Sequence, residues 1–168
     1  EAERPVALIF SNAALNWLPD HARLLPRLAA ALCPGGVLAV QMPRQIFAPS
    51  HRFLRDIAAA MFPDRFSFAA YEPPVAKAVE YHAMLAPLGR VRAWETDYVQ
   101  ELDPAGEGHP VRAFTGSTAM RPFLDKLTPA EAAAFTAAYD QALGAAYPVL
   151  PGGGVLMPFR RVFFILEI

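Results

Sequence analysis

An α/β fold with a parallel sheet is predicted by three stretches of the sequence. Val6–Asn12 (VALIFSN) is an apolar run of strand length, the segment after Asp20 carries apolar residues at helical spacing, and Val37–Gln41 (VLAVQ) returns to strand character. Val6, Leu8 and Phe10 alternate with Ala7 and Ile9, so both faces are apolar, the habit of a strand covered by helices on both sides. Asp20 stands where an N-cap belongs, ahead of Leu24, Leu25, Leu28, Ala31 and Leu32 at spacings of three and four. Pro34-Gly35-Gly36 is expected to stop that helix and turn the chain into the second strand. Together these make a βαβ unit with a right-handed crossover. Ligands of such sheets gather beyond the carboxyl ends of the strands, which brings Ser11, Asn12 and the loop to Trp17 to one edge and Gln41–Pro43 to its neighbour.

The later elements follow the same logic. Ser50 is expected to cap a helix from His51 to about Met61, with Phe53, Leu54, Ile57, Ala58 and Met61 as its apolar stripe. Residues 64–74 read as a loop with Phe66, Phe68 and Tyr71 as anchors, suited to a lid. Val75–Leu88 reads as a helix ended by Gly89. In Val91–Leu102 Glu95 and Asp97 share a face with Val91, Ala93 and Val99, so this strand belongs nearer a sheet edge. Short helices are expected at Val111–Thr115 and Ala119–Lys126. Thr128-Pro129-Ala130-Glu131 is a capping box for a helix running to about Ala146. Phe159–Ile168 closes the chain as a strand.

Composition narrows the function classes. At 168 residues, one domain with a real core is the expectation, and 54% hydrophobic residues argue against global disorder. A net charge of -1 argues against an obligatory nucleic-acid or anionic-membrane partner. The cations are 13 Arg and 2 Lys, a bias that suits carboxylate and phosphate forks and equally follows from GC-rich coding. Cys33 is the single cysteine, which removes a disulfide framework and fits a reducing, cytoplasmic compartment. Residues 1–5 (EAERP) lack the character of a secretory signal, and no run approaches the length of a spanning helix. EAERP leads straight into a strand that looks central, so an amino-terminal portion is expected to be missing.

Catalytic motifs are sparse. Gly106-Glu107-Gly108 and Gly152–Gly154 follow no strand and open no helix, so they read as turns rather than phosphate cradles. His21, His51, His82 and His109 show no metal-site spacing, and no metal is expected. No serine sits in a nucleophile elbow. Trp17 is as readily a core aromatic as the wall of a ligand site. Arg121 lies among Gly116, Ser117, Thr118 and Pro122, where a solvated surface arginine is the plain reading. Arg160 and Arg161 open a strand, so their side chains point to opposite faces.

FSNAALNWLPDH followed by GGVLAVQMP resembles the fourth and fifth strands of a class I S-adenosylmethionine-dependent methyltransferase. APSH at 48–51, GSTAMRPFL at 116–124, AAYP at 145–148 and PFRRVFF at 158–164 resemble the trans-aconitate 2-methyltransferase family, in matching order from Val6 onward. The resemblance implies a partial Rossmann-like methyltransferase sheet with inserted helices, the carboxyl-terminal part of the enzyme. The family's first three strands, glycine-rich loop and ribose-binding acidic residue have no counterpart in these 168 residues. Arg44-Gln45 departs from the more acidic or amide-rich turn usual there.

The implied reaction methylates a carboxylate oxygen of a small acid, most simply trans-aconitate. The acid is already ionised at neutral pH and needs no general base, so positioning dominates. By resemblance, Ser11, Asn12 and Trp17 meet S-adenosylmethionine. Arg121 with Arg160 or Arg161 clamps the spectator carboxylates, and His51 adds a polar contact. Two rival readings stay open: a methyltransferase for another small acid or a carrier-bound acyl group, and a non-catalytic interaction module. An exposed edge beside the Val6 strand invites self-association in either case.

Overall fold

The computed structural model describes residues 5–168, so the expectation drawn from EAERP lies almost wholly outside the described residues. The chain divides into two compact units rather than one. The first comprises the chain up to Arg44, Pro73–Asp97 and Arg160–Ile168; the second comprises Gln45–Glu72 and Tyr98–Phe159.

The first unit opens with β1 (Val6–Asn12), a short 3-10 turn at Leu15–Trp17, α1 (His21–Ala29) and β2 (Leu32–Pro43). β1 and β2 pair in parallel, from Leu8 opposite Val37 to Asn12 opposite Gln41. Asp20 caps α1 as expected, its carboxylate accepting from the Arg23 amide at 3.2 Å. The helix ends earlier than its leucine pattern suggests. Pro26 lies inside it, and the Ala31 amide already turns to the Leu28 carbonyl at 3.1 Å. Leu32 therefore pairs with Val6, and Pro34-Gly35-Gly36 lies inside β2 rather than ahead of it. Between Val6 and Leu8 the register advances two residues on β1 and five on β2, which loops the Pro-Gly-Gly segment outward. Gly35 takes a left-handed φ of 77° there, and its amide donates to Ile168 O at 2.9 Å.

α3 (Ala78–Leu85) and a 3-10 turn at Ala86–Leu88 form a shorter helical segment than the predicted Val75–Leu88. β3 (Arg90–Leu102) and β4 (Val155–Glu167) complete a sheet of order β1-β2-β4-β3. β4 runs antiparallel to β2, and β3 is the predicted edge strand. One face of this sheet, carrying Leu38, Val40, Met42, Val162, Phe164 and Leu166, packs with Leu25, Tyr81 and Leu85 into a core.

The other face corrects the reading of β1. Ile9 turns toward the core, but Val6, Leu8 and Phe10 alternate away from it and are 38%, 58% and 70% exposed. Among the described residues β1 lies at the edge of the sheet and is covered on one side. Apolarity on both faces states what a strand tolerates; which face is covered depends on the helices that reach it.

The second unit contains α2 (Pro49–Met61), α4 (Pro110–Gly116), α5 (Arg121–Leu124) and α6 (Pro129–Ala146). Ser50 is not the cap of α2. Pro49 occupies the first helical turn, Ala48 is the N-cap, and the Ser50 hydroxyl lies 3.0 Å from His51 Nδ1. The α6 box forms as read: Glu131 Oε2 accepts from the Thr128 amide at 2.9 Å, and Thr128 Oγ1 accepts from the Glu131 amide at 3.4 Å. Phe135, Tyr139 and Leu143 on α6 pack with Leu54 and Ala58 on α2, and with Val111 and Met157. In the 64–74 loop, Phe66 is buried and stacks on Phe123 at 5.6 Å, so it serves as the expected anchor.

Candidate functional site

The carboxyl edge of β1 and β2, all within the first unit, gathers several irregular features. Ser11 sits opposite Val40 and Asn12 opposite Gln41, so alternation sends Ser11 and Asn12 to opposite faces. Ser11 is 9% exposed and its Oγ has no hydrogen-bond partner. The next residue, Ala13, holds a left-handed φ of 51° without being glycine, and its amide donates to Gln41 O at 2.9 Å. A non-glycine residue in this region stores backbone strain, of a kind that clusters at ligand sites.

The turn beyond Ala13 is held from below. His21 Nε2 lies 2.9 Å from Leu15 O; a carbonyl only accepts, so this nitrogen carries the proton. Nδ1 then accepts from the Tyr81 hydroxyl at 2.7 Å. Burial pushes the Tyr81 phenol up to about 12, so it stays a donor. Asn16, with its carboxamide oriented to satisfy its neighbours, donates to Ala13 O at 3.0 Å and accepts from Trp17 Nε1 at 3.3 Å. Trp17 itself is 69% exposed, so it is not a core aromatic among the described residues.

Gln41 was not singled out from sequence as a binding residue. Its Oε1 accepts from Arg161 Nη1, and its Nε2 is buried without a partner. The amide orientation is fixed, because a guanidinium offers only donors and must face the oxygen. An orphaned buried amide donor costs about 1–3 kcal/mol. The signal was present in the sequence: a lone polar residue at the carboxyl end of VLAVQM, an otherwise apolar strand.

Arg160 and Arg161 take opposite faces, as their adjacency required. Arg161 is in register with Pro43, two residues along the face that carries Gln41. Arg160 forms two 2.7 Å hydrogen bonds to Asp97 and lies 3.7 Å from Glu95. The Arg160 hydrogen bonds hold the Asp97 carboxyl below the usual carboxylate range. A substrate carboxylate at Arg160 would have to displace Asp97.

His51 and Arg121 belong to the second unit. Burial, aided by the Arg55 charge, lowers His51 to about 4, so the ring is neutral at pH 7. It is a hydrogen-bonding group there, not a cation. Arg121, at the start of α5, is exposed and its guanidinium meets no acid or acceptor among the described residues. Among the described residues no group of three His, Cys, Asp or Glu side chains could hold a metal, and no helix is long and apolar enough to cross a membrane.

The edge therefore offers an orphaned hydroxyl, an orphaned amide donor, a strained turn and an exposed indole. Those groups suit a polar ligand that needs placing more than it needs acid–base chemistry.

No family model matches the chain. A trans-aconitate 2-methyltransferase of Azoarcus sp. (strain BH72) is 43% identical over 162 residues, covering 96% of this chain and 62% of the relative. One of Methylobacterium nodulans is 46% identical, covering 97% and 63%, and one of Shigella flexneri is 36% identical, covering 98% and 63%. The chain is thus similar to proteins of that name along almost all of its own length, as its motifs suggested, and spans just over three fifths of theirs. Among solved structures, the YcgJ protein of Bacillus subtilis superposes with a TM-score of 0.51 at 10% identity, covering 97% of this chain and 64% of that one. That likeness bears out the α/β fold.

Proposed function

We propose that these 168 residues are the carboxyl-terminal part of an S-adenosylmethionine-dependent carboxyl O-methyltransferase acting on trans-aconitate. The observation that carries this reading is the 36–46% identity to trans-aconitate 2-methyltransferases over about 96% of the chain. The edge of β1 and β2 supports it through its orphaned donors.

When bound, S-adenosylmethionine supplies an electrophilic methyl, which a carboxylate oxygen takes as the carbon–sulfur pair stays on sulfur and no proton moves. The chain's task is then placement, which can contribute about 7–11 kcal/mol when reactants are well oriented. Ser11 and Asn12 would hold the donor beside the strained Ala13 turn, and Trp17 would exclude water from it. A spectator carboxylate needs a cationic partner once desolvated. Arg160, whose guanidinium also binds Asp97, or Arg161 would supply it. In the second unit, Arg121 is a carboxylate clamp and His51 a neutral polar contact. A cytoplasmic site of action fits an ionised small-acid substrate.

The test uses the complete polypeptide that carries these residues, with methyl-labelled S-adenosylmethionine and a panel of trans-aconitate, citrate, other small acids and carrier-bound acyl groups. A labelled monoester of trans-aconitate, formed fastest of the panel, is expected. Faster esterification of another acid would reassign the acceptor, and no ester with any acid would overturn the enzymatic reading. A second reading, an interaction module, is favoured by Leu8 and Phe10, 58% and 70% exposed on the uncovered face of β1.

A further inference from the structure

Trp17 is largely exposed, so packing does not set where its indole stands. Its place comes from the backbone of the Leu15–Trp17 turn and from Asn16, whose carboxamide bridges Ala13 O and Trp17 Nε1. That turn hangs on one carbonyl. Leu15 O accepts from the Leu18 amide at 2.9 Å, which closes the turn, and from His21 Nε2 at 2.9 Å. Beyond His21 the bonds run into the core. His21 Nδ1 accepts from the Tyr81 hydroxyl at 2.7 Å, and that hydroxyl accepts from the Ala76 amide at 3.2 Å. Tyr81 is fully buried, and its ring packs on Phe164 of β4 with centroids 4.9 Å apart. All of these residues lie in the first unit.

We infer that His21 and Tyr81 are positioning residues, a strut that rises from the core and fixes the Trp17 turn for the ligand at the carboxyl edge of β1 and β2. That the ligand is a methyl donor rests on the methyltransferase reading; the strut rests on its own hydrogen bonds. Three features carry the inference. Every polar atom of the pair is used, in a single proton arrangement. The Ala76 amide occupies the hydroxyl as an acceptor, so its proton goes to His21 Nδ1, and the imidazole proton is left on Nε2, aimed at Leu15 O. Next, both side chains are buried, where apolar ones would fill the space without desolvating an imidazole and a phenol. What a fully satisfied buried network adds is one defined geometry. Finally, strained backbone persists only where its surroundings over-determine it. Ala13 holds its left-handed φ of 51° beside this turn, under the Asn16 bridge and ahead of the His21 strut.

The test separates the position of the turn from general stability. The complete polypeptide is labelled with fluorotryptophan, and the fluorine resonances of Trp17 and Trp94 are assigned with Trp17→Phe and Trp94→Phe. Trp94, stacked on Phe163, reports any general loosening. Tyr81→Phe keeps the buried ring and removes the hydroxyl. His21→Leu removes both ring nitrogens, and His21→Gln restores a donor at the reach of Nε2. Tyr81→Phe and His21→Leu are expected to shift the Trp17 resonance and leave that of Trp94 in place, with His21→Gln returning Trp17 toward its wild-type position. KM for the methyl donor is expected to rise about tenfold in His21→Leu, with KM for the acid unchanged. Tyr81→Phe, being nearly isosteric, carries the same test should His21→Leu fail to fold. An unmoved Trp17 in Tyr81→Phe, a Trp94 that moves with it, a His21→Gln protein no closer to wild type than His21→Leu, or equal rises in both KM values would each overturn the positioning role. A displaced Trp17 in a complete protein that transfers no methyl group to any acid would keep the strut and overturn the methyltransferase reading. Methyl transfer with a donor KM indifferent to His21 and Tyr81 would do the reverse.

Discussion

Acid should weaken this protein through one histidine. His51 is lowered to about 4 by burial and by Arg55, against about 6.5 for an unconstrained imidazole. Between those values the unfolded chain takes up a proton that the folded chain resists. Stability therefore rises with pH across this window and is lost as pH falls through it. Integrating the linkage gives about 2 kcal/mol lost between pH 7 and pH 5, approaching about 3 kcal/mol below pH 4. These are upper figures, because the ring is only partly buried and solvent screens it. The perturbation is His51→Gln, which keeps a hydrogen-bonding side chain near Ser50 and removes the titration. The assay is urea unfolding by far-ultraviolet circular dichroism at pH 7, 6 and 5, for wild type and variant. Every other titrating group is common to both, so the difference isolates His51. Wild type is expected to lose about 2 kcal/mol more than the variant on going from pH 7 to pH 5. Parallel loss in the two proteins would refute a neutral, buried His51.

Two further outcomes follow from exposed groups. In the complete polypeptide, Arg121→Ala is expected to raise KM for trans-aconitate about 10- to 100-fold, the worth of a charge-assisted contact, with KM for the methyl donor unchanged; equal effects on both would reject the clamp. Sedimentation velocity is expected to show self-association of this chain through the uncovered face and edge of β1, reduced in Phe10→Lys; a monomeric wild type at all concentrations would remove that surface from consideration.

Legibility in the sequence tracked how local each determinant was. The α6 box needed only Thr128 and Glu131, three residues apart, and formed as read. Asp20 was similarly local. Ser50 failed because two start signals overlapped, and the preset φ of Pro49 moved the cap one residue ahead to Ala48, leaving Ser50 to bond His51. The burial of β1 was not readable at all, since Val6, Leu8 and Phe10 have the same composition whether or not anything covers them. Among site residues, the opposite facing of Arg160 and Arg161 was legible from adjacency. That Arg160 would meet Asp97 was not, because Asp97 lies 63 residues away in sequence. Gln41 announced itself only as a polar interruption in an apolar strand. Its meaning depends on Arg161, 120 residues on, and on the register that brings β4 beside β2.

Glu95 ties together three segments that are remote along the chain. One carboxylate oxygen accepts from the Ala78 amide at 3.2 Å, at the first residue of α3; the other lies 3.4 Å from Arg44, just past β2, and 3.7 Å from Arg160 in β4. This acid lies against two like-charged guanidiniums, one of them also held by Asp97, and its other oxygen anchors the helix whose Tyr81 braces the turn at Leu15 through His21. An isosteric amide there would preserve the shape and remove the mediator. The two arginines would then lose their shared counter-charge, and the change would reach α3 at the Ala78 amide and the Trp17 turn by way of Tyr81 and His21.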